Sequence, residues 1–250
     1  MYNGIKASDP VAEFQKERKQ AIEEMAQDEA LRKKSLDWML HADKYKYSYN
    51  FTWMGRPIIK LPQDIIAIQE LIWSTKPDLI IETGIAHGGS IIFSASMLEL
   101  VGKGEVFAVD IDIRKHNRIL IEAHPMFKRI TMIEGSSVEK AIFNKISIAA
   151  KGKKKVMVIL DSLHTHDHVL KELRLYSKLV TIGCHLILPD TFIEFFPKGY
   201  FSNRPWDVGS NTMTALKEFL RDNKEFVIDH SVNDKLVISE GIDGYLKRIR

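Results

Sequence analysis

The chain is predicted to be an α/β protein with a doubly wound, mostly parallel sheet and a helical appendage at its N-terminus. Three observations predict it. From Pro62 onward, short apolar runs alternate with helical stretches, the rhythm of strands joined by right-handed crossovers. One such run, Leu79–Glu82, breaks into a turn carrying Gly84, Gly88 and Gly89 before a long apolar segment, Ile91–Leu100. Several runs also end on acids or small polar residues, at Asp110, Glu134, Asp161 and Asp190. Ligands of open α/β sheets bind at such strand ends.

The elements follow in order. Residues 9–42 are charged and helical in pattern, with Ser8-Asp9-Pro10 supplying a cap and a proline for the first turn. Tyr45, Tyr47, Tyr49, Phe51 and Trp53 then recur at every second position, which places five rings on one face of an extended segment. That segment is expected to be a strand or arm packing on the domain; a substrate-facing aromatic wall is the alternative. Helices are expected at 63–75, 90–100, 116–123, 138–150, 167–175 and 212–221. Strands are expected at 79–82, 105–110, 130–133, 156–160, 184–188, 226–228 and 235–239. The last two are separated only by Ser231–Asp234 and read as an antiparallel hairpin. Residues 1–55 thus form an appendage, serving as a cover or an oligomer contact, and 56–250 form the main domain.

Composition narrows the function. The 250 residues are 45% hydrophobic, enough for a full core, and the net charge of +3 is too diffuse for a nucleic-acid surface. The run Lys151–Lys155 reads as a solvated loop, and the single cysteine, Cys184, as a core residue inside Leu179–Leu188. No basic-then-apolar leader opens the chain and no apolar run reaches the length of a membrane span, so a cytoplasmic protein is expected.

The glycine turn reads as a nucleotide-type cofactor cradle. Ala86 replaces the middle glycine of a dinucleotide fingerprint, and Ser90 stands where a triphosphate loop needs its lysine. What remains is E-x-G-x-x-x-G, Glu82 to Gly88, the first motif of Rossmann-like S-adenosylmethionine-dependent methyltransferases. Asp110 lies about 20 residues past the turn, where an acid accepts from a ribose diol. Strand three ends in Glu134-Gly135-Ser136-Ser137, suited to the edge of an adenine ring.

The chain resembles the cephalosporin hydroxylase-like family, whose members have the fold of S-adenosylmethionine-dependent methyltransferases and include rhamnosyl O-methyltransferases. The resemblance rests on residues 76–90, Val109–Asp112, Leu160–His164, Asp167–Leu170, Gly183–Thr191 and the stretch from Trp206 to Phe219. It implies a seven-stranded sheet with one antiparallel strand, S-adenosylmethionine as methyl donor and, in many members, magnesium. On that pattern Glu82, Gly84, His87, Gly88, Gly89 and Ser90 surround the methionine portion, Asp110 holds the ribose and Ser137 lies by the adenine.

Methyl transfer to a hydroxyl needs a cation that acidifies the hydroxyl, or a base that removes its proton. Asp161 and Asp190 close strands four and five after apolar runs, and a cation between them would offset the cost of burying two carboxylates. Family members with a metal site carry Glu-Asp at the end of strand five, whereas this chain has Pro189-Asp190. Catechol-type relatives have Asp-Asn, which maps onto Asp190-Thr191 and makes Thr191 a weaker ligand. His164, three residues after Asp161, occupies the offset of the catechol-type lysine base, and an imidazole is a side chain suited to taking a proton near neutrality. His166 and His168 fit no zinc spacing and fall at the start of the next helix. Substrate contacts are expected from Trp206–Asn211 and from the aromatics near Trp53.

An O-methyltransferase acting on a sugar hydroxyl of a glycan or glycolipid precursor is the leading expectation. A binding module with a decayed metal site and a nicotinamide-dependent oxidoreductase are the alternatives. The partners expected are a small-molecule or glycan substrate, no nucleic acid, and a second copy of the chain through the N-terminal helices.

Overall fold

The sequence alternation becomes a two-sided sandwich because buried strands present apolar side chains to both faces. The computed structural model describes residues 9–250, and Ser8 of the cap motif lies outside them. Helix α1 (Pro10–Gln27) is capped by Asp9, whose side chain accepts from the Val11 amide, and α2 (Glu29–Asp43) is capped by Asp28. Helix α1 buries none of its residues. By contrast, α2 docks Met39 against Leu61, Phe192, Ile193 and Phe196.

The aromatic stretch is not one extended segment. Lys46 adopts φ +50°, Tyr47–Asn50 coil into a 3₁₀ turn, and only Phe51–Trp53 (β1) is extended, paired with β2 (Arg56–Ile58). The five rings therefore point different ways. Tyr47 lies edge-on to Trp38 and Phe51. Trp53 packs edge-on against Phe93 and donates its indole N–H to Ser96 Oγ at 2.9 Å. The expected boundary at residue 55 falls in the turn of this hairpin.

The main sheet joins β3 (Leu79–Thr83), β4 (Glu105–Asp110), β5 (Ile130–Glu134), β6 (Val156–Leu160), β7 (His185–Ile187), β8 (Phe226–Ile228) and β9 (Tyr245–Arg248) in the order β5-β4-β3-β6-β7-β9-β8. Strands β3 to β7 pair in parallel; β9 is antiparallel to both β7 and β8, so it alone runs against the rest. Alternate strand residues divide the core. Ile80, Val106, Met157 and Ile159 pack with α3 (Pro62–Thr75) and α4 (Gly89–Val101). Leu79, Ile81, Val158 and Leu160 pack with α6 (Lys140–Ala150), α7 (His166–Tyr176) and α8 (Thr212–Asp222). Helix α5 (Lys115–Glu122) adds Ile121 to the first layer, and Cys184 is buried in the second. Among the described residues no helix is long and apolar enough to cross a membrane.

The final strand corrects the sequence reading. Residues 235–239 form no strand; they follow the short helix α9 (His230–Asn233) as a loop, and β8 pairs with 245–248 instead. The cause is Asp64 at the start of α3. Its carboxylate accepts from Ser239 Oγ (2.6 Å), the Glu240 amide (2.9 Å) and the Tyr245 hydroxyl (2.7 Å). These buried bonds hold the apolar run across the helix end and bring Glu240 to the sheet's carboxyl edge.

Candidate active site

The parallel pairing of β3 with β6 and of β6 with β7 aligns their ends, so Thr83, Leu160 and Ile187 deliver the next residues to one edge. There a cleft of about 660 Å³ is lined by Glu82, Ser90, Asp161, His164, Asp190 and Glu240, with His87, Tyr49, Arg204 and Trp206 around it.

The glycine turn is clamped from three sides. Asp110 Oδ2 accepts from the amides of Ile85 (2.7 Å) and Ala86 (3.2 Å), and Asn117 donates to the Ala86 carbonyl at 3.0 Å. Arg56, itself buried, donates to the His87 carbonyl through Nε and Nη2 at 3.0 and 2.6 Å. Ala86 is thereby held at φ +47°, a conformation that costs an alanine about 1–2 kcal/mol. Asp110 thus builds the turn through backbone amides, and neither it nor Ser137 lines the cleft. Ser137 is buried with its hydroxyl 3.2 Å from His168 Nε2.

The glycines serve packing. A Cβ on Gly84 would lie 1.9 Å from the Asp161 carbonyl oxygen, one on Gly89 2.2 Å from the Pro57 carbonyl oxygen, and one on Gly88 2.5 Å from the Ile121 side chain. The sequence reading assigned them to ligand approach; their absent side chains let β6, β2 and α5 close on the turn. Gly84 and Gly89 also line the cleft, and Gly88 does not.

Glu82 is fully buried, and both of its carboxylate oxygens and the Ser90 hydroxyl lack a well-formed hydrogen bond. Burial pushes its carboxyl up to about 7, with the Lys60 charge opposing the shift. With the Ser90 hydroxyl and the Lys60 charge as its neighbours, a carboxylate at this depth can accept a further cationic partner.

Asp161, His164 and Asp190 bring one donor atom each within 4.8 Å of one another. His164 Nε2 lies 3.5 Å from Asp190 Oδ2, and its ring stands edge-on to Trp206 at 4.7 Å between centroids. Asp190 sits at φ +60°, backbone strain of the kind that aims functional side chains. Burial and the neighbouring Asp161 raise its carboxyl, against His164 and Lys60. Burial also opposes the charge of Asp161, but Lys60 and His164 outweigh it and hold that carboxyl below its ordinary range. Thr191 is no ligand: its hydroxyl donates to the carbonyls of Ile242 (2.7 Å) and Glu240 (3.3 Å). His166 bonds Thr214 and faces Glu218, and His168 bonds Ser162 and Ser137, so both pin α7 in place.

Sequence reasoning missed Lys60 and Glu240. Lys60 is 1% exposed and donates to Asp161 Oδ2 at 2.8 Å. Burial works against its charge, but Asp161, Glu240 and Glu82 overcome that and keep it protonated. A lone lysine inside the apolar run Pro57-Ile58-Ile59-Lys60-Leu61-Pro62 was the available signal, since a charge is rarely buried unpaired. Of the expected substrate contacts Trp206 and, from the aromatic stretch, Tyr49 reach the cleft; Asn211 is fully buried as the α8 cap, and Trp53 packs on Phe93.

A family model described as Rhamnosyl O-methyltransferase/CmcI matches residues 45–249. The chain belongs to this family. It is similar to the rhamnosyl O-methyltransferase of Mycobacterium bovis, 30% identical over 151 residues, 58% of this chain and 59% of that protein. The rhamnosyl O-methyltransferase of Mycobacterium leprae is 31% identical over 148 residues, 58% of this chain and 62% of that one. The match thus spans about three fifths of the length of these relatives. A CmcI structure with magnesium and S-adenosylmethionine has a TM-score of 0.59 at 18% identity, covering 81% of this chain and 78% of that one. That likeness is one of fold, and it agrees with the Rhamnosyl O-methyltransferase/CmcI assignment.

Proposed function

We propose that this Rhamnosyl O-methyltransferase/CmcI family protein is an S-adenosylmethionine-dependent O-methyltransferase. Its acceptor is a hydroxyl of a sugar in a glycan or glycolipid precursor, methylated in the cytoplasm. The observation that carries the reading is Glu82, a buried carboxylate without a well-formed hydrogen bond beside Ser90 on the cleft wall. Glu82 and Ser90 would hold the donor's methionine ammonium, with His87, Gly84 and Gly89 beside it; Gly88 and Asp110 shape the turn, and Asp110 and Ser137 would lie toward the ribose and adenine.

Asp161 and Asp190, with His164 beside them, fit a divalent cation such as magnesium on the two carboxylates, which if bound would acidify the acceptor hydroxyl. The remaining work belongs to the chain. His164 takes the acceptor's proton, with Asp190 facing its Nε2 and Trp206 fixing the ring edge-on. Trp206 and Tyr49 wall the cleft, aromatic surfaces suited to the apolar faces of a sugar. The described part of the appendage, residues 9–55, serves as a cover, since α2 packs on the segment after β7. Val11 and Phe14, exposed on α1, suit self-association.

Calorimetry with S-adenosylhomocysteine tests the cofactor reading, and no binding at millimolar ligand would end it. Glu82 adds a pH signature, because its carboxyl is raised from near 4.5 to about 7. An ammonium prefers the ionised form, so affinity should fall roughly tenfold per pH unit below 7. For the free protein the sign is opposite. A carboxyl raised in the folded state stabilises fully below its unfolded value, and that stability is lost as pH rises through about 7. Binding that ignores pH between 5 and 8 would remove Glu82 from the ligand. Transfer of labelled methyl groups to a glycan panel tests the activity.

A further inference from the structure

Lys60 is placed where a buried cation alters what the neighbouring carboxylates can bind. It lies two residues past the end of β2, is 1% exposed, and its Nζ lies 2.8 Å from Asp161 Oδ2. A small void beside it is shared with Asp64, Pro189 and Glu240, so the ammonium sits under the end of β7 with almost no water to screen it. Asp161 meanwhile faces His164 and Asp190, the other two donors of the candidate metal centre. One carboxylate therefore serves two cations. Pro189, the residue before Asp190, brings no side-chain donor to make up the difference.

We propose that Lys60 is a resident counter-cation of the Asp161–His164–Asp190 cluster, competing with a divalent ion for Asp161 and so weakening metal binding. The inference rests on the reading of Asp161 and Asp190 as the ion's ligands. Two effects act together. An oxygen that already accepts from an ammonium has less electron density to give a metal. The ammonium also repels the ion across an interior of low dielectric. The position suits a lysine, whose compact charge points at one oxygen where an arginine's fork would take both. The cluster then keeps part of its charge balance without the ion, and metal occupancy becomes a matter of concentration.

Manganese titration, followed by the electron paramagnetic resonance of the free ion, measures this directly. Lys60→Gln removes the charge while keeping a donor for Asp161, and is expected to bind manganese at least tenfold more tightly than the wild type. Lys60→Arg, which keeps the charge, is expected to show no such gain. In an Asp161→Asn background the effect of Lys60→Gln is expected to shrink, because the charged oxygen that Lys60 shares with the ion is gone and only the repulsion between ammonium and ion remains. Equal affinity of Lys60→Gln and wild type overturns the proposal, and so does weaker binding by the variant. Should Lys60→Gln fail to fold, the wild type carries its own test. The shielded ammonium of Lys60 gives a distinct nitrogen–proton resonance, which saturating magnesium is expected to shift; a resonance unmoved while the ion binds overturns the proposal. Absence of manganese binding in every variant overturns it together with the metal reading. Intact S-adenosylhomocysteine binding in the same samples would leave the cofactor reading standing.

Discussion

Asp161→Ala is expected to lose about 3 kcal/mol of stability, the low end of the cost of stranding one partner of a buried ion pair, and to transfer no methyl groups. The carboxylate holds Lys60 at 2.8 Å, and Lys60 is 1% exposed. Without it the ammonium keeps only the weaker fields of Glu240 and Glu82. Asp161→Asn separates the two roles. Its amide oxygen still accepts from Lys60, so most of the stability returns, while transfer is still expected to fall roughly a hundredfold or more for want of the charge. Replacing the whole pair, Lys60→Met with Asp161→Leu, removes the buried ammonium together with its half-buried partner and should melt near the wild type, yet remain inactive. Urea midpoints and labelled-methyl turnover read the series. An unchanged midpoint for Asp161→Ala would mean that the ion pair contributes nothing to the fold.

What was legible in the sequence follows from what parallel sheets impose. A strand buried on both faces must be an apolar run, and its carboxyl end must be the place where polar residues resume. Reading those ends brought together Glu82, Asp161, His164 and Asp190 without any knowledge of contacts, and all four line one cleft. The same logic found Asp110 and Ser137 but did not foresee the bonds they make to the protein itself. A carboxylate beside a turn can accept from backbone amides as readily as from a ligand, and the Asp110 bonds to Ile85 and Ala86 depend on loop geometry that spacing does not reveal.

Two of the misses share one cause, which is long-range placement. Lys60 reaches Asp161 across 101 positions and Ser239 reaches Asp64 across 175. No local pattern encodes either separation. The run at 235–239 has strand-like composition, but three buried bonds to Asp64 outweigh that preference. In the aromatic stretch, period two was real in the sequence and false in space. Lys46 turns the backbone left-handed, so the alternation never meets a straight strand.

Gly84→Ala is expected to be the most damaging single methyl group in the protein, and its effect should reach the site itself. Gly84 sits at φ +90°, and an added Cβ would lie 1.9 Å from the Asp161 carbonyl oxygen and 2.7 Å from its carbonyl carbon. Neither neighbour is a flexible side-chain end; both belong to the backbone that leads β6 into the cleft. The clash can be relieved only by parting β3 from β6 or by rotating Asp161. The first breaks the bond from the Asp161 amide to the Thr83 carbonyl at 2.9 Å, and the second breaks its pairing with Lys60. Backbone strain of about 1–2 kcal/mol for a left-handed alanine adds to roughly 1–3 kcal/mol of overpacking. A loss of about 3–4 kcal/mol corresponds to a fall in Tm of roughly 10 °C for a chain of this size. Gly152→Ala is the control, because φ is +80° there but nothing lies within 4 Å of the new Cβ, so only the strain remains, about 1–2 kcal/mol. The gap between the two variants isolates the contact between strand ends. Equal melting temperatures would show that β3 and β6 do not need this close approach. An S-adenosylhomocysteine affinity lost in Gly84→Ala but kept in Gly152→Ala would tie that approach to the cleft.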